Sequence, residues 1–432
     1  MKERQPRFLA RFLRQTSLVA PNELSVCVLS FLMVFLLMGS YYVLRPVRDG
    51  FASDWTDAEV SFLWTLNFFL STAVVALFGW VVKRLRFDFL VPSVYAFFSV
   101  SFALFYLGTA GSDGQYKILI DKIFYVWVSL FSLFNISVFW SFMSDLYSKE
   151  QAGRLFPLIG TGASAGAILG PAIPTLFAAW IGTERLVLLT SFLLLLTIPL
   201  TLIILRLKTT RLGSKDFLTN AKRTHIGGNP LQGFRAFFTN RYFLSIGIFI
   251  MLYTAISSIL YFEQKNLLAA YNRIERTQIL GAVDWIVNIL TFSIAFFATG
   301  RIVKYCGMPF TLSSMPFITS FGFLFLAAAP ILSVALFFQV LRRAGEYAIT
   351  RPSREMLFTL VNREDRFKTK PVIDVVAYRG GDMVTSWAFA ALTEGVGLGI
   401  ASMAAIGAIV AAIWGLIALF LGNWFDRTQQ PK

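Results

Sequence analysis

The chain has 432 residues, of which 56% are hydrophobic and 15% charged, with 45 phenylalanines and a net charge of +15; its mean hydropathy is +0.65. A hydrocarbon core about 30 Å thick takes roughly 20 apolar residues per helix, so this length supports about a dozen crossings and excludes a sizeable soluble catalytic domain. Cys27 and Cys306 have no CxxC spacing, which excludes a disulfide framework and a thiolate metal site, and the basic residues fall between apolar runs, so the charge reports membrane orientation and no nucleic-acid partner is expected.

Apolar runs bounded by charge or Gly/Pro predict twelve transmembrane helices, at 24–48, 59–82, 88–109, 117–146, 156–181, 185–206, 241–265, 277–300, 308–328, 331–356, 371–393 and 398–424. The first run is too long for a signal peptide and lacks a convincing small-residue cleavage site, so it reads as a retained span. With the N-terminus inside, the inner segments hold 27 of the 39 Lys+Arg and the outer segments 5, the rest lying in or at the ends of spans. The positive-inside rule then places both termini in the cytoplasm. The expected organisation is a cytoplasmic segment 1–23, a six-helix half 24–206, a basic cytoplasmic linker 207–240, a second six-helix half 241–424 and a cytoplasmic tail 425–432. His225, in the linker and without a nearby carboxylate, is expected to be solvated.

A shift of 214 lays Lys149-Glu150 on Arg363-Glu364, Pro157 on Pro371 and Gly166 on Gly380. A shift of 221 pairs Gly79-Trp-Val-Val-Lys83 with Gly300-Arg-Ile-Val-Lys304, so spans two and eight are equivalent. A six-plus-six repeat with a long central loop is how major-facilitator transporters are built, which sets the expected fold class: all-α, twelve transmembrane helices in two pseudo-repeated six-helix halves. The repeat-equivalent segments 79–86, 149–154, 300–304 and 363–368 are expected to form an inner gate.

Ionisable groups at bilayer depth are costly unless paired or facing a watery cavity, so each is a candidate site residue. Span one carries Arg45, Arg48 and Asp49, with the two arginines one turn apart on one face; arginine forks match carboxylate or phosphate oxygens, against an alternative of interfacial snorkelling. Span two has Asn67 and span four Asn135, single amides that serve more often as helix-to-helix hydrogen bonds than as ligands. Span seven has Glu263 and Lys265, span eight Asp284 and Asn288, and span eleven Asp374, Arg379 and Asp382. Span ten reaches Arg342, Arg343 and Glu346 after about 16 Å, close to the bilayer centre. Glu346, at i+4 from Arg342 and i+3 from Arg343, is placed to neutralise one arginine and leave the other for an anion; a structural ion pair is the alternative.

The run Gly160-Thr-Gly162-Ala-Ser-Ala-Gly166-Ala-Ile-Leu-Gly170 lies in an apolar span with no preceding strand. Its glycines form a small-residue stripe suited to close helix packing rather than a dinucleotide loop. The chain lacks GxxxxGK[ST], so an ATP-driven pump has no engine; no catalytic residue, metal or cofactor is expected, and the chain does not read as an enzyme.

At span ten the segment Tyr347-Ala-Ile-Thr-Arg-Pro352-Ser-Arg-Glu355-Met356 continues through Glu364, Lys368 and Lys370 into Ile373-Asp374-Val375-Val376 and Arg379-Gly380. With Leu44-Arg45-Pro-Val-Arg48-Asp49 in span one, it resembles the nucleotide (ATP/ADP) antiporter family of plastids and intracellular bacteria. The resemblance is specific over 341–381 and recognisable over 41–50 and 140–170. It implies a substrate path through Arg45, Arg48 and Asp49, with Asp374 and Arg379 on the facing half. Arg48 stands where the family carries lysine, and Asp382 where it typically carries lysine after the glycine, which removes a cation from a phosphate path.

The expected function is secondary transport, by antiport, of a nucleotide or another phosphorylated or anionic metabolite, in a bacterial inner membrane. The lipid bilayer and the small anionic solute, with ATP/ADP as candidates, are the expected partners, and the oligomeric state is left open. Two alternatives stand beside it: a proton-coupled carrier with Asp49, Glu263, Asp284 or Glu346 as the proton site, and a non-transporting scaffold or lipid-handling protein with a transporter fold.

Overall fold

The computed structural model describes residues 19–82, 87–211, 237–361 and 373–429. Among these there is helix and no strand, as the absence of water in a bilayer core requires of open-chain spans. The helices are α1 (Leu24–Ala52), α2 (Asp57–Val82), α3 (Phe87–Ala110), α4 (Gly114–Leu146), α5 (Lys149–Ile181), α6 (Thr183–Arg211), α7 (Arg241–Leu268), α8 (Arg273–Phe297) and α9 (Thr299–Ala328). The tenth rod, α10, is Leu332–Gly345 continued through a π-helical turn, Glu346–Thr350, into Arg351–Leu357. The eleventh, α11, is a π-helical Ile373–Arg379, an α-helical Gly380–Ala390 and a π-helical Ala391–Gly395. The last, α12, is Ile400–Gln429.

Each predicted span corresponds to one rod, and nine helices among the described residues are long and apolar enough to cross a membrane. Outside that set are α2, α10 and α11, the last two because π-helical turns divide them into shorter pieces. Two starts differ from the sequence expectation. A capping box, with Ser148 Oγ accepting from the Gln151 N–H (3.2 Å) and Gln151 Oε1 accepting from the Ser148 N–H (3.0 Å), begins α5 seven residues early, inside a polar stretch. In α9 the backbone breaks at Gly307 (φ 74°, ψ 171°), so the membrane-length portion follows a short connecting helix. Much of the linker, 212–236, and the expected gate segments 83–86 and 363–368 lie outside the described residues.

The chain divides into two compact units. The first contains residues up to Arg48, Leu70–Arg223 and Arg273–Trp285; the second contains Asp49–Phe69, Thr224–Asn272 and Ile286 onward. In the first, α3 lies along α6, fastened by a reciprocal pair in which Ser99 Oγ donates to Ser191 O (2.8 Å) and Ser191 Oγ to Ser99 O (2.7 Å). In the second, α9 lies along α12, where a Cβ on Gly415 would meet the Phe317 ring at 2.7 Å and Ser320 Oγ donates to Ala408 O (2.8 Å).

The glycine stripe of α5 packs on α1. A Cβ at Gly162 would lie 2.6 Å from the Phe31 carbonyl and one at Gly170 2.7 Å from the Gly39 carbonyl, while one at Gly166 would collide with the Phe35 carbonyl. In the second unit Gly380, the repeat partner of Gly166, has open space at its Cβ, and it is Gly381 that lies against the Thr254 side chain of α7. The N-terminal part of α2 is part of the unit containing α7 and α11, and the N-terminal part of α8 of the unit containing α1, α4 and α5. Spans two and eight thus play equivalent roles, each contributing its first turns to the unit built mainly from the other half of the sequence.

Candidate functional site

In the first unit the charged end of α1 meets α4 and α8. Arg45 Nη1 lies 3.4 Å from Asp284 Oδ1, whose carboxylate is buried. Arg48 Nη1 donates to Ser129 Oγ (3.2 Å) and its guanidinium stands 5.3 Å from the centre of the Tyr125 ring, a cation–π contact. Both arginines therefore address neighbouring helices. Asn135 donates from Nδ2 to the Leu37 carbonyl (2.8 Å), tying α4 to α1, while its Oδ1 is buried without a hydrogen-bond partner. Asp121 of α4 receives Arg273 of α8 at 2.9 Å, and Gln278 donates to the Thr175 carbonyl at 3.2 Å. Asp49 follows Arg48 on α1 and begins the second unit.

At the opposite end of α1, buried Glu23 accepts from Nη2 and Nη1 of Arg154 (2.9 and 3.2 Å), Gln151 Nε2 (3.0 Å) and the Ala20 N–H (3.1 Å). Burial pushes its carboxyl up, but these hydrogen bonds outweigh it and hold it below the ordinary carboxylate range.

In the second unit two charged groupings form. One joins α2, α7 and α11. Lys265 Nζ, 4% exposed, pairs with Asp57 Oδ1 (2.7 Å) and donates to the Trp55 carbonyl (2.7 Å). Asp57, 5% exposed, also accepts from Thr393 Oγ1 (2.8 Å) and Asn266 Nδ2 (3.3 Å). Glu394 accepts from the N–H groups of Asp57 and Ala58, placing a carboxylate at the positive end of α2. Glu263, on the same turn of α7 as Phe262, is fully buried, and neither carboxyl oxygen has a hydrogen-bond partner.

The other grouping belongs to α10. Arg342, Arg343 and Arg354 are all buried, and the buried acid among them is Glu346, 3% exposed. The expected ion pair between Glu346 and an arginine one turn back is not formed: Arg342 Nη2 donates instead to Gln339 Oε1 (3.0 Å), leaving its Nε and Nη1 buried without partners. The two residues keep i+4 register, since the Glu346 N–H bonds to the Arg342 carbonyl, and the π-helical turn widens the rod only beyond Glu346. Tyr253 of α7 and Tyr378 of α11, with ring centres 5.9 Å apart, flank this charge cluster. Arg379 and Asp374 lie on the first π-helical part of α11, and Asp382, one turn on, accepts from Ser258 Oγ (3.3 Å).

Sequence reasoning placed Arg45, Arg48, Asp284, Lys265, Arg342, Arg343 and Glu346 in the membrane but missed Asp57, Asp121 and Glu394, which the structure joins to cations or helix ends. A readable signal existed for the first: Thr56-Asp57-Ala58-Glu59 is a capping box, with the Thr56 N–H donating to Glu59 Oε2 at 2.8 Å. No group of three or more metal-ligating side chains occurs among the described residues.

Long apolar helices with arginines and carboxylates held inside them define the class as a polytopic membrane transporter. The sequence matches the Major Facilitator Superfamily profile over residues 30–362, and the protein belongs to that superfamily. No curated protein matches the sequence. Among solved structures, a bacterial homologue of the human lysosomal transporter Spinster, in an inward-facing conformation, aligns over 96% of this chain and 99% of its own, with 15% identity and a TM-score of 0.61. A POT family transporter in complex with 5-aminolevulinic acid aligns over 94% and 96%, with 13% identity and a TM-score of 0.64. The nucleoside transporter NupG aligns over 96% and 100%, with 15% identity and a TM-score of 0.58. At these identities the likeness establishes the fold.

Proposed function

We propose that this protein is a secondary transporter that exchanges small anionic, phosphorylated metabolites, nucleotides of the ATP/ADP kind being the first candidates, by alternating access between the halves 24–206 and 241–424. The observation that carries the reading is Arg342: a guanidinium 4% exposed, with Nε and Nη1 lacking partners, beside two further buried arginines and one buried acid. A buried donor without an acceptor is costly, and a phosphate or carboxylate oxygen supplies one. The resemblance of 41–50 and 341–381 to nucleotide antiporters points the same way. NupG carries a nucleoside, which makes nucleoside-containing anions a natural first panel.

In this reading the membrane is a bacterial inner membrane and both termini and the linker face the cytoplasm, an orientation that the charge asymmetry supports. Uptake into proteoliposomes preloaded with the same compounds, run with nucleotides, organic phosphates and dicarboxylates, tests it. Saturable exchange of an anion, abolished in Arg342→Ala at unchanged thermal stability, is expected. Exchange that is unaltered in a folded Arg342→Ala would remove α10 from the substrate path, and no uptake of any anion in the panel would overturn the reading.

A further inference from the structure

We propose that the last turns of α12 hold the headgroup of an anionic phospholipid, in a groove lined by Phe420, Asn423, Trp424, Arg427 and Thr428. The groove has a volume of about 450 Å³. Its residues recur at intervals of three and four, so they share one face of the helix. Asp426, the first charged residue of α12, lies off that face: its Oδ2 is turned to α9, where a Cβ on Gly307 would lie 3.4 Å from it. The face therefore carries a cation and no acid.

Three donors on this face are unengaged. Among the described residues, exposed Arg427 has no ion pair, and the Asn423 amide and the Trp424 indole N–H make no hydrogen bond. Thr428 has already committed its hydroxyl proton, since Oγ1 donates to the Trp424 carbonyl (2.8 Å), and it is left as an acceptor. A guanidinium beside an amide and an indole N–H is a donor set for oxyanions, and the guanidinium pairs with phosphate through charge-assisted bonds. The indole is held in place from two sides. The Tyr242 ring of α7 meets it edge-on at 5.2 Å and Phe420 at 5.5 Å, and Tyr242 is itself tied by its hydroxyl to the Leu357 carbonyl of α10 (2.9 Å).

Depth separates a lipid from a free phosphate compound. Residues 400–425 carry no charge and span about 39 Å at 1.5 Å per residue, more than the hydrocarbon core of about 30 Å, so the charged end of α12 emerges in the headgroup layer. From Phe420 to Thr428 the helix rises about 12 Å, while that layer is about 5–8 Å thick, so the groove starts among acyl chains and ends at the phosphates. Its side chains follow a phospholipid from chain to headgroup: Phe420, 54% exposed, at acyl depth, Trp424 in the interfacial zone that tryptophan prefers, and Arg427 at the phosphate. A soluble phosphate compound would leave Phe420 without a role, and a zwitterionic lipid would bring an ammonium towards Arg427. In the proposed orientation this is the cytoplasmic leaflet, whose anionic lipids attract basic side chains. The inference does not depend on what the protein carries.

The test uses the purified full chain in phosphatidylcholine vesicles doped with phosphatidylglycerol brominated near the head of its acyl chains, or with equally brominated phosphatidylcholine. The emission of Trp424 is read as the difference between the native protein and Trp424→Phe, and bromine quenches it on contact. Phosphatidylglycerol should quench it at about one fifth of the lipid fraction that phosphatidylcholine needs, the enrichment expected from one arginine. Arg427→Lys should keep this preference and Arg427→Gln should lose it. Glutamine at Arg301, an exposed cation of the connecting helix outside the groove, should leave it unchanged, which separates a site from general surface charge. Equal quenching by the two lipids, a preference kept in Arg427→Gln or lost in Arg301→Gln, or displacement of phosphatidylglycerol by millimolar inorganic phosphate at fixed ionic strength would overturn the proposal.

Discussion

Separating Asp57 from Lys265 is the most direct perturbation of the packing between α2 and α7. Both side chains are buried, at 5% and 4% exposure, and their 2.7 Å contact is flanked by bonds from Thr393 and Asn266 to the other Asp57 oxygen. Replacing one partner leaves a buried charge without its counter-charge, a loss of about 3–5 kcal/mol. Asp57→Asn should therefore destabilise strongly, because Lys265 keeps its charge and only the Trp55 carbonyl remains to meet it. Lys265→Met should do the same by stranding Asp57. The double variant removes both charges and replaces the lysine stem with an apolar chain of similar length, so it should be much less damaged than the sum of the two. A coupling of about 2–3 kcal/mol, the upper part of the range for residues in contact, is expected from the double-mutant cycle. The assay is thermal unfolding of the detergent-purified protein followed by tryptophan fluorescence, with Glu394→Gln as a neighbour outside the pair. Single effects that add to within about 0.5 kcal/mol would show that the pair is not coupled and would refute the reasoning.

Enlarging Gly166 to alanine or valine should force α5 away from the Phe35 carbonyl of α1 and cost about 1–3 kcal/mol, whereas Gly160→Ala, with open space at its Cβ, should be neutral in the same melts. The Glu23 carboxyl, held low by Arg154, the Ala20 N–H and Gln151 against the effect of burial, contributes stability that is present above the ordinary carboxylate pKa and lost as pH falls through its lowered folded value. The melting temperature of Glu23→Gln should therefore vary less than that of the native protein across that acid window, and parallel curves would remove the bracket as a stabilising element. A cysteine placed at Gly228 should resist an impermeant external reagent in intact cells and react once the membrane is opened. Labelling from outside would reverse the proposed orientation.

The number of rods and their approximate limits were legible in the chain because bilayer thickness imposes a length on every apolar run, and a run of about 20 residues has few other uses. The α5 glycines were legible for a related reason: spaced four apart on a helix, they leave a groove that only another backbone fills. The membrane-embedded charges could be located one by one, since each is conspicuous among apolar neighbours. Their partners could not. Asp57 and Lys265 are 208 residues apart, and the contact exists because the first turns of α2 pack with α7 and α11 rather than with the helices that follow α2 in sequence. Arg45 and Asp284 meet through the matching arrangement of α8. Within α10 the local rule itself failed: Arg342 and Glu346 keep i+4 spacing, yet the Arg342 guanidinium turns back to Gln339. Apolar length and small-residue spacing are local properties and belong to the sequence. Which cation neutralises which anion depends on how distant helices pack and which way each long side chain turns, and only the tertiary structure decides that.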